Sequence, residues 1–473
     1  MTTSASAHGA PAGLLWGAAT AAFQIEGAAH LDGRQDSIWD AFCRVPGAVV
    51  DDQDGEVACD HYFRYAEDVA LMRRMNLQAY RFSTSWARVR PDGVTVNRRG
   101  LDFYSRLVDE LLTSGIQPWL TLYHWDLPQA LEERGGWTDR ETVHRFADYA
   151  IGMHEALGDR VDVWTTLNEP FCSAYLGYGT GHHAPGRRDR RASLAAVHHL
   201  LLAHGTVAAE LRSRAPDATL GIALNLDLTD PADPDDPDDV AAARRVDGQW
   251  NRIFLDPIFR GAYPDDVLAD TAHLGLADHI RDRDLATIAT PIDVLGVNYY
   301  HGTAVSRRRP PSAVASAGSA ANPLPAADDV FRVPRGLPTT DLGWEIQPEG
   351  LTRLLLRLQE EYTGPAGCAL AVTENGAAFP DAVGDDGQVD DVERVAYLAA
   401  HVAAVQDAAA RGADVRAYFV WTLLDNFEWA WGYTKRFGLV HVDFATQERI
   451  IKRSGLWYAG IAAGAHPQSP GSR

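Results

Sequence analysis

At 473 residues and 51.6 kDa, with 46% hydrophobic and 23% charged residues, the chain has the size and ordinary composition of a globular protein with a large core. A formal net charge of −21 argues against nucleic acid and anionic membrane surfaces as natural partners, since both reward positive charge. Four cysteines lie far apart (Cys43, Cys59, Cys172, Cys368), Met1–Gly13 has no basic-then-apolar leader, and no apolar run approaches the roughly 20 residues of a membrane helix. These features predict a reduced, soluble, cytoplasmic protein.

Along the chain, short apolar, β-branched or aromatic runs alternate with longer amphipathic ones. Strands are predicted at Leu14–Gly17, Ala79–Ser83, Gln117–Leu122, Val161–Leu167, Leu220–Leu226, Val294–Asn298, Ala369–Thr373 and Arg416–Thr422. Helices are predicted at Tyr62–Met75, Leu101–Ser114, Arg140–Leu157, Leu194–Ala215, Gly350–Tyr362 and Asp391–Arg411. This alternation implies βαβ units and a parallel sheet, and eight strands predict a (β/α)₈ TIM barrel, an α/β fold. We read one domain over residues 14–462, with flexible tails at 1–13 and 463–473. Two stretches read as loops. Thr229–Asp239 (TDPADPDDPDD) carries prolines that break helices and aspartates that repel one another. Ser306–Thr340, rich in Ala, Pro, Ser and Gly, reads as a long, mobile surface excursion.

Barrel active sites collect at the C-terminal ends of the strands, so the residues where each predicted strand stops carry the functional information. The first leads into Gln24 and Glu26 (AAFQIEGAA), the second ends at Arg81 and Trp86 (YRFSTSW), and the third at His124 and Trp125 (LYHWDLP). The fourth ends at Asn168 and Glu169 (WTTLNEP), the sixth at Asn298 and Tyr300 (GVNYYHG), and the seventh at Glu374 and Asn375 (AVTENG). The eighth ends at Trp421, followed by Glu428 and Trp429 (VWTLLDNFEWAWG); only the fifth, near Asn225, is undistinguished. Two glutamates facing each other across a barrel mouth suit glycoside hydrolysis, where retaining enzymes hold the carboxyls about 5–5.5 Å apart. Arg81 and Tyr300 would hold one carboxylate ionised while apolar neighbours raise the other. Thirteen tryptophans supply flat apolar faces for sugar rings, and Gln24, His124, Asn168 and Glu428 suit hydroxyls that both donate and accept.

Other patterns compete poorly. His182, His183, His198, His199 and His204 lack an HExxH arrangement; they read as bracing for the loop after strand four and packing for the next helix, with no metal. GYGTG at Gly177–Gly181 does not open a helix after a strand, as a dinucleotide loop would, and Asp52, Asp54 and Gly55 lack the first and last ligands of a calcium loop.

Taken together, the ordered segments resemble family 1 of the glycoside hydrolases, the β-glucosidase family, from Trp16 to about Tyr458. LWGAATAAFQIEGA resembles the family's N-terminal signature, with Leu14 where Phe is usual; TLNEP resembles its acid/base motif and VTENG its nucleophile motif. RFSTSWARVRP, YHWDLP, HHAPG, GVNYY, LGWEIQP and WTLLDNFEWAWGY follow in family order. The resemblance implies Glu169 as acid/base and Glu374 as nucleophile, with Arg81, Asn298 and Tyr300 tuning the nucleophile. It implies Gln24, His124, Trp125, Asn168, Trp421, Glu428 and Trp429 as sugar-binding residues, and Trp344 on the aglycone side. Glu428 stands where some relatives that cleave phosphorylated sugars carry Ser, so an unphosphorylated sugar is implied. The expected activity is cofactor-free, exo-acting hydrolysis of β-glucosides and short β-gluco-oligosaccharides such as those from cellulose. Main activity on β-galactosides or β-fucosides, transglycosylation, and an inactive sugar-binding protein stand as alternatives; the sequence sets no oligomeric state.

Overall fold

The computed structural model describes residues 13–309 and 322–464. Eight parallel strands close into a barrel: β1 (Leu15–Ala19), β2 (Ala79–Ser83), β3 (Gln117–Tyr123), β4 (Val163–Asn168), β5 (Thr219–Asn225), β6 (Val294–Asn298), β7 (Ala369–Asn375) and β8 (Val415–Trp421). Each pairs with its chain neighbours, and the ring closes where β1 meets β8 in the register Leu15↔Ala417 to Ala19↔Trp421. The eight strands coincide with the predicted ones to within two residues at each end. Around them lie the predicted helices, among them α1 (His61–Arg74), α2 (Arg98–Thr113), α3 (Glu141–Leu157), α4 (Arg190–Arg214), α5 (Pro348–Leu358) and α6 (Val392–Ala410). Of the predicted tails at 1–13 and 463–473, residues 1–12 and 465–473 lie outside the described residues.

The barrel interior is filled by side chains. Trp119 of β3 meets Phe419 of β8 edge to face across it, ring centroids 5.0 Å apart, and Trp119 Nε1 donates to Thr165 Oγ1 at 2.9 Å. Gly17 of β1 makes room for this pair, since a Cβ there would sit 2.5 Å from the Phe419 ring. Such contacts join segments hundreds of residues apart and give the barrel one continuous core.

Three expectations change. Prolines in Thr229–Asp239 do not keep the segment irregular: Thr229–Pro231 is a strand beside Thr303–Ser306, and a helix runs from Pro237 to Asp247. Pro237 occupies the first turn, where its missing N–H costs nothing, and Asp236 caps it by accepting from the Asp238 N–H. The excursion after Ser306 is partly ordered: Phe331–Arg332 returns to pair antiparallel with Val305 and Ser306, while 310–321 lie outside the described residues. α4, predicted as amphipathic, is buried almost all round, packed against α3 and the helical segments Cys172–Thr180 and Asp284–Ile288; it is long and apolar enough to cross a membrane, yet packs within the fold. Its histidines brace neighbours: His198 Nε2 meets Asp284, His199 Nδ1 meets the Trp137 carbonyl, and His204 Nδ1 meets Thr166 Oγ1.

Candidate active site

Regular pairing breaks where the predicted catalytic residues sit. The β4–β5 register shifts between Thr165 and Asn168, and β7 shifts against β6 between Val372 and Glu374 and against β8 between Val372 and Asn375. Such bulges re-aim side chains, and here they turn Asn168 and Glu374 into the mouth. Glu169, Trp125 and Trp429 adopt left-handed backbone conformations with φ of 46°, 77° and 50°. Each costs on the order of 1–3 kcal/mol and persists because the surrounding structure over-determines it.

Glu169 and Glu374 are both buried and joined by three side chains. Arg81, wholly buried, donates Nη1 to Glu374 Oε1 at 2.7 Å and Nη2 to Asn168 Oδ1 at 2.6 Å. Asn298 donates Nδ2 to that same Asn168 oxygen at 3.0 Å and to Glu169 Oε1 at 2.7 Å, while its own oxygen accepts from Thr373 Oγ1 at 2.6 Å. Tyr300 completes the set by donating to Glu374 Oε2 at 2.7 Å. The two carboxyls therefore differ in kind. Burial lifts both, but Glu374 is drawn back down by the Arg81 charge and by hydrogen bonds from Tyr300, Arg81 and Asn298. Glu169 is pushed up to about 8 by burial and then by the Glu374 charge, with weaker opposition from Asn298 and Cys172. A single proton shared between them belongs on Glu169, leaving the charge on Glu374 beside Arg81.

A cavity of about 810 Å³ opens over this floor, and Glu169, Glu374, His124, Trp125, Asn298, Tyr300, Trp344, Trp421, Glu428 and Trp429 all line it. Arg81 and Asn168 support its floor through the hydrogen bonds above. The rings form a connected surface: Trp125 lies 4.5 Å from Trp429, His124 stacks near Trp421 at 5.7 Å, and Trp344 lies 5.4 Å from Tyr300. Gln24 Nε2 donates to Asn426 Oδ1 at 3.2 Å and the Phe427 carbonyl at 2.7 Å. Asn168 Nδ2 donates to His124 Nε2 at 3.0 Å, which leaves the His124 proton on Nδ1; burial and the Arg81 charge keep the ring neutral. Gln24 Oε1, His124 Nδ1 and Glu428 Oε2 are buried without a protein partner. Buried polar groups are ordinarily satisfied, and His124 and Glu428 line the cavity, so their unpartnered atoms suit a polar ligand there.

Sequence reasoning missed part of this site. The end of β5 is not bland: Asn225 lines the cavity, accepts from Trp250 Nε1 through its carbonyl and directs Nδ2 at Cys172 Sγ. His183 does not merely brace a loop, since its ring lies 5.3 Å from Trp125 in the cavity wall. Phe171 and Trp250 stack at 4.2 Å, with Arg332 over the Trp250 ring, so the segment after Ser306 contributes to the wall. Cys172 was missed as well: only three residues beyond Glu169, it opens the helical segment Cys172–Thr180 and brings its thiol to the Glu169 carboxyl.

A family model described as "Glycosyl hydrolase family 1" matches residues 7–466. The thermostable beta-glucosidase B of Thermobispora bispora is 50% identical over 453 residues, covering 95% of this chain and 90% of that protein. The crystal structure of a psychrophilic beta-glucosidase from Micrococcus antarcticus superposes with a TM-score of 0.93 at 56% identity, covering 96% of this chain and 97% of that one. A beta-glucosidase from Thermotoga maritima in complex with castanospermine superposes with a TM-score of 0.88 at 43% identity, covering 96% and 99%. A barrel whose bulged strand ends deliver two unlike carboxyls, matched over nearly its whole length, places the chain in glycosyl hydrolase family 1.

Proposed function

We propose that the protein is a retaining, exo-acting β-glucosidase in which Glu374 is the nucleophile and Glu169 the acid/base. The observation that carries this reading is the inequality of the two carboxyls: Glu374 held by Arg81 and Tyr300, Glu169 raised by burial and by its neighbour's charge. Ionised Glu374 attacks the anomeric carbon; the bond to the aglycone oxygen breaks as that oxygen takes the Glu169 proton. Glu169, now a carboxylate, removes a proton from water, whose oxygen attacks the same carbon and releases Glu374, so the β configuration is retained. Gln24 Oε1 and Glu428 accept from sugar hydroxyls and His124 Nδ1 donates to one, while Trp421, Trp125 and Trp429 face the ring. Trp344 belongs to the aglycone side.

The relatives are named as β-glucosidases, which favours glucosides over galactosides or fucosides as main substrates. Short oligosaccharides derived from cellulose fit this reading, as does a reducing cytoplasm, supported by four buried cysteines that are all free. Release of 4-nitrophenol from its β-D-glucoside tests the assignment. Wild type turns over, and Glu374→Gln at matched concentration loses essentially all activity; turnover retained by the folded variant excludes Glu374 as nucleophile.

A further inference from the structure

We propose that Cys172 is a positioning residue for this reaction: its thiol holds Oε2 of Glu169 and follows that carboxyl through both protonation states by changing from donor to acceptor. The proposal rests on the reading of Glu169 as acid/base.

Geometry assigns the two oxygens of Glu169 different jobs. Oε1 accepts from Asn298 Nδ2 at 2.7 Å, and the carbonyl oxygen of a neutral carboxyl is a better acceptor than its hydroxyl oxygen, so this contact favours the transferable proton on the other oxygen. That oxygen is Oε2, whose partner is Cys172 Sγ at 3.2 Å. Cys172 is anchored by its own N–H, which donates to the Glu169 carbonyl at 2.9 Å, and its sulfur is buried on the cavity wall. From the opposite side Asn225 directs Nδ2 at the sulfur at 3.9 Å, orienting a lone pair toward β5 and the S–H toward Glu169. When Glu169 is ionised, the S–H donates to Oε2. When it is protonated, the S–H turns away and leaves a weak acceptor that does not compete with the aglycone oxygen for the proton. A hydroxyl in the same place would bind the carboxylate more strongly and favour its ionised form. Burial, and then the Glu169 charge, push the Cys172 thiol well above its usual range, so it stays protonated throughout and is no rival nucleophile.

The titratable and charged groups around Glu169 are Glu374 and Arg81 on the floor, Tyr300 after β6, His124 after β3, Glu428 after β8, and His182 and His183 on the wall. Replacing Cys172 alters none of them, so opposite shifts from two replacements isolate the thiol. The test is the basic limb of kcat/KM for cellobiose in wild type, Cys172→Ser and Cys172→Ala. A stronger donor lowers the limb and loss of the donor raises it, each by about half a pH unit. The effect is smaller for 2,4-dinitrophenyl β-glucoside, whose aglycone departs without a proton. A limb that stays in place in both variants while KM and the melting temperature change means that Cys172 only packs, and overturns the proposal. A limb that persists in Glu169→Gln instead overturns the acid/base reading itself. Should either Cys172 variant fail to fold, infrared difference spectra of the wild type across the limb decide. The S–H stretch moves to lower wavenumber as Glu169 ionises, and a stationary band refutes the contact.

Discussion

The floor of the cavity and its outer wall are built on opposite principles. Arg81, Asn168, Asn298 and Glu374 sit at strand ends, and each is held by hydrogen bonds to others of the set. The outer wall is made by loops: Phe171 after β4, Trp250 from the helical segment Gly248–Arg252, and Leu324, Val330 and Phe331 from the return of the long excursion. Its contacts are stacking and apolar packing, such as Phe171 on Trp250. A rigid frame fixes atoms to within the tolerance that bond-making needs, whereas a wall on excursions changes shape without disturbing the barrel. On the proposed reading, the floor carries the reaction and the wall meets the departing group.

The sharpest way to break that division is to remove the proton donor. Glu169→Ala should lower kcat/KM for cellobiose by about 10²–10⁴-fold, yet lower it far less for 2,4-dinitrophenyl β-glucoside. Equal losses on both substrates would deny Glu169 its role. Next in size is the pH response. Glu169 must be protonated to act as acid and is raised to about 8, so kcat/KM should fall about tenfold per pH unit above that value, and fall again at acid pH where the nucleophile Glu374, also lifted by burial, takes up a proton. Glu428 is also raised to about 8 by burial and the charges of Glu374 and Glu169. The limb is therefore assigned by its loss in Glu169→Gln and its survival in Glu428→Gln, read from full pH profiles. The smallest effect belongs to the wall. Trp250→Ala should raise KM for aryl glucosides by about 2- to 10-fold, the worth of one aromatic contact, with kcat nearly unchanged. A large fall in kcat would mean that wall and floor are not separable.

The same contrast explains what the amino-acid sequence reveals. The strands and the residues at their ends are legible because a local run and its terminating residue report both position and direction. The wall is not. The pairing of Thr229–Pro231 with Thr303–Val305 joins stretches more than seventy residues apart, and no periodicity in either announces it. Pro237 reads as a breaker until its place in the first turn is known, and Asn225 looks inert until Cys172 is seen against it. Bulges at Asn168 and Glu374 are equally silent, since an inserted residue leaves the hydrophobic pattern of a buried parallel strand intact. Asn298 shows the limit at one residue: its type marks it as polar machinery, but only geometry reveals that its amide is given to Glu169 as well as tuning Glu374.

The closure of β1 on β8 has a consequence for how the enzyme comes into being. Gln24 is donated by the first βα loop, and its partner Phe427 lies 403 residues later, beside Glu428. At roughly 5–20 residues per second, a ribosome finishes the second half of this sugar pocket some 20–80 s after the first. During that interval the opening strand has no final neighbour and the pocket has no second side. Catalytic competence therefore cannot accumulate gradually during translation; it arrives as one event, when the last strand reaches the first.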